Sequence, residues 1–184
     1  MAIMPAALDS PTVIRSHVLV PAFALMGVAL ALVACDPAAA PPTPPISPGS
    51  SAAPREVNII ARDWSFQPAT VDVVAGETVL LHVVNGGLTV HEAVVGDDAV
   101  QDAWEKAEAA AAVGAKPGPT PRVSLDPSVG GLRVVVGSGQ RVDQLWTVPA
   151  EEPPGGLVVG CHIPGHWDRG MVVPIRFVES GAVP

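Results

Sequence analysis

Basic residues are scarce in this chain of 184 residues. Ten Lys and Arg stand against 18 Asp and Glu, for a formal net charge of −8. Such a chain lacks the cationic face that neutralises phosphates, which argues against a nucleic-acid partner. The acid excess serves solubility, or suits a basic or neutral partner. Tyrosine is absent, yet Val, Ala, Gly and Pro are abundant, so the chain can bury a core and is no disordered polyelectrolyte. Cysteine occurs twice and histidine five times, with no His-x-His pair. Clusters of several metal ions built on paired imidazoles therefore cannot be assembled from it. Of the four methionines, three precede residue 27, which excludes a Met-rich tract.

The first 35 residues read as an address. Residues 18–33 form a nearly unbroken apolar run preceded by Arg15 and His17. Its length fits a signal-peptide core better than a full membrane span. It ends in Leu32-Val33-Ala34-Cys35, which resembles the lipobox of bacterial lipoproteins. That resemblance implies a signal peptide over residues 1–34 and lipidation of Cys35. The alternative, an uncleaved signal anchor, also places the remainder outside the cytoplasm. No twin-Arg pair is present, so export of an unfolded, metal-free chain is expected.

Residues 35–54 are expected to be a linker. Seven prolines lie between residues 36 and 54, and a chain of polyproline character is semi-stiff. At ~3.1 Å per residue it would span up to roughly 60 Å. From Arg55 to residue 184 the pattern changes to short apolar strands punctuated by Gly, Pro and Asn. Strands are expected over 56–61, 71–74, 78–84, 89–95, 132–136, 141–148, 157–160 and 171–178. Short strands with regular turn signals mean an all-β sandwich or barrel. Residues 98–113 are instead built from strong helix formers, so the excursion over residues 97–121 carries one helix. Trp64, Phe66 and Trp146 read as core aromatics, and Trp167 as core or as an edge to the loop it shares with His166.

The chemistry lies near the C-terminus, where residues 160–171 read GCHIPGHWDRGM. Cys161, His166 and Met171 are each separated by four residues. A thiolate and an imidazole suit zinc or copper, but a neutral thioether is a poor zinc ligand and a good copper one. One thiolate, two imidazoles and a weak axial thioether make a mononuclear blue-copper site. The residues alone leave Cys161 as ligand or buried thiol, and Met171 as ligand or core filler. The second imidazole must come from elsewhere; His91 is the best candidate and His82 a poor one.

On these residues the chain resembles the cupredoxin superfamily. The matching stretches are Phe66-Gln67-Pro68 through Gly76, Val83-Val84-Asn85 through His91, and the 160–171 loop, which together span most of residues 55–178. The four-residue gaps resemble those of rusticyanin and sulfocyanin. The resemblance implies a Greek-key β-sandwich holding one type 1 copper through His91, Cys161, His166 and axial Met171. Glu92, after the first His, departs from the Asn or Asp of many members. Multicopper oxidases frame the same loop as His-Cys-His; here His162 matches the downstream partner but Gly160 stands upstream, so no oxidase cluster is expected and the protein is not expected to be an enzyme.

The expected role is electron transfer between Cu(II) and Cu(I) at the outer side of the membrane, in the periplasm or on the outer cell face. The resemblance implies passage through the His166 edge, and Ile163, Pro164, Val172, Val173 and Pro174 would favour a rather positive potential. The partners would be a redox donor and acceptor, respiratory-chain components among them, with the membrane reached through the lipid. The alternative is a copper storage or delivery module for oxidase assembly, which the missing Met-rich tract disfavours.

Overall fold

The computed structural model describes residues 42–114 and 123–184. The apolar leader, Cys35 and the start of the Pro-rich segment lie outside the described residues, as do Lys116 to Pro119. Among the described residues, nine strands and one α-helix follow in order: β1 (Arg55–Arg62), β2 (Ser65–Gln67), β3 (Val71–Val73), β4 (Thr78–Asn85), β5 (His91–Gly96), α1 (Asp98–Ala112), β6 (Leu132–Val136), β7 (Arg141–Thr147), β8 (Leu157–Gly160) and β9 (Val172–Phe177).

The strands form two sheets, β2-β1-β4-β7 and β3-β9-β8-β5-β6. The chain passes repeatedly between them, giving the expected Greek-key β-sandwich. Alternation along the strands creates the core. Val57, Ile59 and Ala61 of β1 and Val79, Leu81 and Val83 of β4 point inward from one sheet. Ala93, Val95, Val134, Val136, Val159, Val173 and Ile175 meet them from the other. Period-two side-chain alternation lets each strand bury one face while its partners face out.

β5 breaks the alternation: all six residues are buried. The cause is α1, which covers the outer face of the sheet there. Asp97 caps the helix by accepting from the Val100 N–H at 3.0 Å. Val100 and Trp104 pack with Val94 of β5 in a second, smaller core. The expected excursion is thus a lid on the strand that carries His91. The same helix face also buries two polar side chains, Gln101 and Glu108, for which amphipathic packing alone gives no reason.

The folded unit begins before Arg55. Ile46 is buried; its N–H donates to the Ala182 carbonyl, and its carbonyl accepts from the Gly181 N–H, both at 2.8 Å. The Gly49 N–H donates to the Glu77 carboxylate at 3.1 Å. Glu77 also accepts from Arg55 Nε at 2.9 Å and from the Val74 N–H at 2.8 Å. Residues 46–54, expected as linker, are therefore packed onto the sandwich. The sequence pattern hid this because proline and small residues carry no strand periodicity, and Ile46 is one apolar residue among them.

Candidate metal centre

Three chain segments converge at one end of the sandwich. His91 opens β5, four residues after the Asn85-Gly86-Gly87 turn. Asn85 pins that turn: its Nδ2 donates to the carbonyls of Thr89 and Val136 at 2.7 and 2.9 Å, and its Oδ1 accepts from the Gly87 N–H at 2.8 Å. Cys161 follows β8, and its N–H donates to the Met171 carbonyl at 3.1 Å. The intervening residues fold back on themselves. The His166 carbonyl accepts from the N–H groups of Arg169 and Met171, and the His166 N–H donates to Ile163. This local network puts the His166 side chain over Cys161.

The result is a cluster of three buried ligand groups, His91, Cys161 and His166, whose donor atoms all lie within 4.8 Å of one another. Nδ1 of His166 is 3.3 Å from Cys161 Sγ and 3.3 Å from Nδ1 of His91. His91 and Cys161 are fully buried, His166 nearly so. Met171 is also fully buried and belongs to the same core as Cys161. His82 is not part of the centre: it lies in β4 with Nδ1 at 2.8 Å from Asp143 Oδ1 and beside Arg141.

Electrostatics suit a metal. Burial pushes the His166 pKa down to about 4, with His91 and Arg169 adding to the effect, so at neutral pH its nitrogen offers a lone pair. Burial pushes the Cys161 thiol up to about 12, and the nearby backbone of Glu92 and Ile163 offsets this only in part. The metal-free protein thus holds a neutral thiol, and a metal must displace its proton to gain a thiolate. A site that buries one anionic sulfur and two neutral imidazoles, with no carboxylate donor in the cluster, fits one type 1 copper.

The shell around these groups was largely invisible in the sequence. Glu92 is fully buried. One carboxylate oxygen accepts from the His162 N–H at 3.0 Å, and the other from Arg133 Nε at 2.6 Å. Arg133 also donates to Glu108 at 2.6 Å and lies over the Trp104 ring. The departure at Glu92 is therefore matched by Arg133 of β6 and by the excursion helix, which supplies Trp104 and Glu108. This explains the buried Glu108.

His162 does not face the metal cluster. Its ring nitrogens lie 2.8 Å from a Glu105 carboxylate oxygen and 2.6 Å from Gln101 Oε1. Trp167 stacks on it with centroids 4.8 Å apart. Gln101 is oriented by donating to the carbonyls of Val94, Gly96 and Val158, which accounts for the second buried polar residue of α1. Gly160 is the seat for Trp167: a Cβ there would overlap the indole ring and approach Gln101 Oε1 to 2.7 Å. The residue preceding Cys161 is small because α1 and Trp167 occupy its space.

Trp64 corrects an expectation. It is no core residue but stands 37% exposed, edge-on to His166 with centroids 4.8 Å apart. Arg169 lies over its ring, 4.0 Å from the centroid. Its φ of 70° is left-handed, a conformation that costs a non-glycine residue ~1–2 kcal/mol. Phe66 is in the core, and Trp146 packs against it, as expected.

Comparison with known proteins places this geometry. The copper-resistant cuproprotein CopI of Rubrivivax gelatinosus is 35% identical over 133 residues, which cover 71% of each chain. The chain belongs to the CopI family of copper-resistant cuproproteins. The Pseudomonas aeruginosa member is 28% identical over 137 residues, covering 65% of this chain and 74% of that one. No protein-family model matches. Among solved structures, dithionite-reduced auracyanin from Roseiflexus castenholzii superposes with a TM-score of 0.55 at 19% identity, over 71% of this chain and all of that one. That likeness establishes the cupredoxin fold.

Proposed function

We propose that the chain is a membrane-anchored, extracytoplasmic cupredoxin that transfers single electrons, and that His91, Cys161, His166 and Met171 would hold its copper. The observation that carries this reading is the buried convergence of His91, Cys161 and His166. Bound copper would supply the one-electron Cu(II)/Cu(I) couple. The chain supplies a rigid donor set: Asn85 fixes the approach to His91, and the 163–171 turns fix His166 relative to Cys161. Holding ligands in place keeps their rearrangement on electron transfer small. His166 is buried apart from a small edge, and that edge, next to Gly165 in the chain and packed against Trp64, would be the route of an electron to and from bound copper.

A second reading is copper storage or delivery, for oxidase assembly or, since the relatives are named copper-resistant cuproproteins, for copper resistance. The burial of the ligands weighs against it, since delivery needs a site that opens to a recipient. The membrane link rests on Cys35 and the apolar run before it. Among the described residues no helix is long and apolar enough to cross a membrane. A Cys35→Ala variant should leave the membrane fraction for the soluble one. Full retention would remove the lipid anchor.

Addition of Cu(II) to the purified protein tests the main reading. An intense thiolate-to-copper band that bleaches on reduction and returns on oxidation is expected. A colourless, easily stripped Cu(I) complex would support delivery instead, and no copper uptake would end both.

A further inference from the structure

The β1–β2 turn holds a carboxylate that none of the expected ligands accounts for. Asp63 Oδ1 lies 3.1 Å from Nε2 of His91, on the side of the ring opposite the nitrogen that faces Cys161 and His166. A carboxylate accepts, so Nε2 carries the proton and donates it to Asp63. That fixes the His91 tautomer and leaves Nδ1 with its lone pair turned into the cluster.

Asp63 is itself held. The Leu88 N–H donates to its two oxygens at 3.0 and 3.2 Å, and Thr89 offers its N–H at 3.4 Å and its hydroxyl at 3.3 Å. These groups are all donors. A carboxylate surrounded by donors alone is held in place as an acceptor.

Gly87 supplies an independent observation. A Cβ at this position would overlap Asp63 Oδ1 and come within 2.9 Å of His91 Nε2. The peptide cannot retreat, because its N–H donates to Asn85 Oδ1 at 2.8 Å and its carbonyl accepts from Ser138 Oγ at 2.7 Å. The loop is thus bare of side chain where Asp63 meets His91. Asn85, Gly87, Leu88 and Thr89 together build a seat for one ion-paired contact.

We propose that Asp63 is a positioning residue of the copper centre, whose charge, passed through the imidazole of His91, lowers the reduction potential and holds His91 in place in both oxidation states. This inference rests on the ligand assignment proposed above. A carboxylate partner raises the basicity of a metal-bound imidazole, and a more basic imidazole favours the more highly charged ion, Cu(II). It opposes the apolar loop residues, which favour Cu(I). The potential is therefore set by a balance, and the β1–β2 turn supplies one side of it. The neighbouring Trp64 makes the same turn the support of His166 as well.

The test compares the full-length protein with Asp63→Asn, Asp63→Ala and Gly87→Ala. Asparagine keeps an acceptor of the same shape but removes the charge. Gly87→Ala keeps the charge but forces Asp63 away from His91. Each variant is read by its visible spectrum, its midpoint potential and the thermal unfolding of its copper-free form. Asp63→Asn should retain the thiolate band and show a more positive midpoint, and Gly87→Ala should move the midpoint in the same direction. Should Asp63 merely tie down the 86–90 loop, Asp63→Asn and Asp63→Ala would lower the copper-free unfolding temperature and leave the midpoint of Asp63→Asn at the wild-type value. That outcome overturns the proposal, as does a midpoint that moves negative. Should Asp63→Asn fail to fold, the Gly87→Ala midpoint decides alone, and a wild-type value there also overturns it. A wild-type protein with no thiolate band would instead remove the copper reading itself.

Discussion

Cys161→Ser is expected to lose the thiolate-to-copper band completely and to bind copper more than about 100-fold more weakly, beyond the 10–100-fold usually lost with a residue that only supports a metal ligand. The physical reason lies in what the sulfur contributes. The buried thiol gives up its proton only to a metal, and the resulting thiolate is a soft, anionic ligand suited to copper. A serine hydroxyl in the same place is shorter, harder and keeps its proton, so two neutral imidazoles would remain with no anion to balance the metal. The measurement is a copper titration followed by visible absorption and competition with a chelator of known affinity. A variant that kept the band would show that Cys161 is not the thiolate ligand.

Arg133→Met is expected to be the most destabilising single change in the shell around the centre, at about 3–5 kcal/mol, as found when one partner of a buried ion pair is removed. Arg133 lies between Glu92 and Glu108, at 2.6 Å from each. Glu92 is fully buried and Glu108 is 1% exposed. Without the guanidinium, two carboxylates would share one apolar space, and the contact with Trp104 would also go. Burial already raises the Glu108 pKa, and the charge of Glu92 raises it further.

The sign of the pH dependence follows. An acid whose folded pKa lies above its unfolded value destabilises the fold most at pH above the folded pKa, and the deficit shrinks as pH falls toward the unfolded value. Arg133→Met should therefore recover stability on mild acidification, before general acid unfolding. Adding Glu108→Gln should restore part of the loss at neutral pH. Urea unfolding of the three proteins across pH checks this. Equal stability of Arg133→Met and wild type at neutral pH would show that the network is dispensable.

The two predictions concern different depths of the same site, and the depths were not equally legible. Cys161, His166 and Met171 could be read together because they share one short loop, where spacing along the chain approximates spacing in the folded molecule. His91 was reached by resemblance, since it lies 75 residues from His166 and no local spacing connects them. Asp63 carried no signal at all: Arg62-Asp63-Trp64 reads as any polar turn between strands. Trp64 was misread because an aromatic near a strand is most often core, whereas this one is spent on the His166 edge. Glu92 departs from the Asn or Asp of many cupredoxins, and its partners Arg133 and α1 are adjacent to it only in the folded molecule.

By itself the sequence determined the sandwich, the single helix and the chemistry of the C-terminal loop. Strand alternation, helix propensity and ligand spacing are local properties that survive in one dimension. The tertiary structure alone decided that the excursion helix seals β5, that residues 46–54 belong to the folded unit, and that Asp63 holds His91 while Glu92 and Arg133 brace the loop after Cys161. Those contacts join residues far apart in the chain. Their energy comes from charges and hydrogen bonds closed away from water, which exist only once the two sheets and the helix have come together.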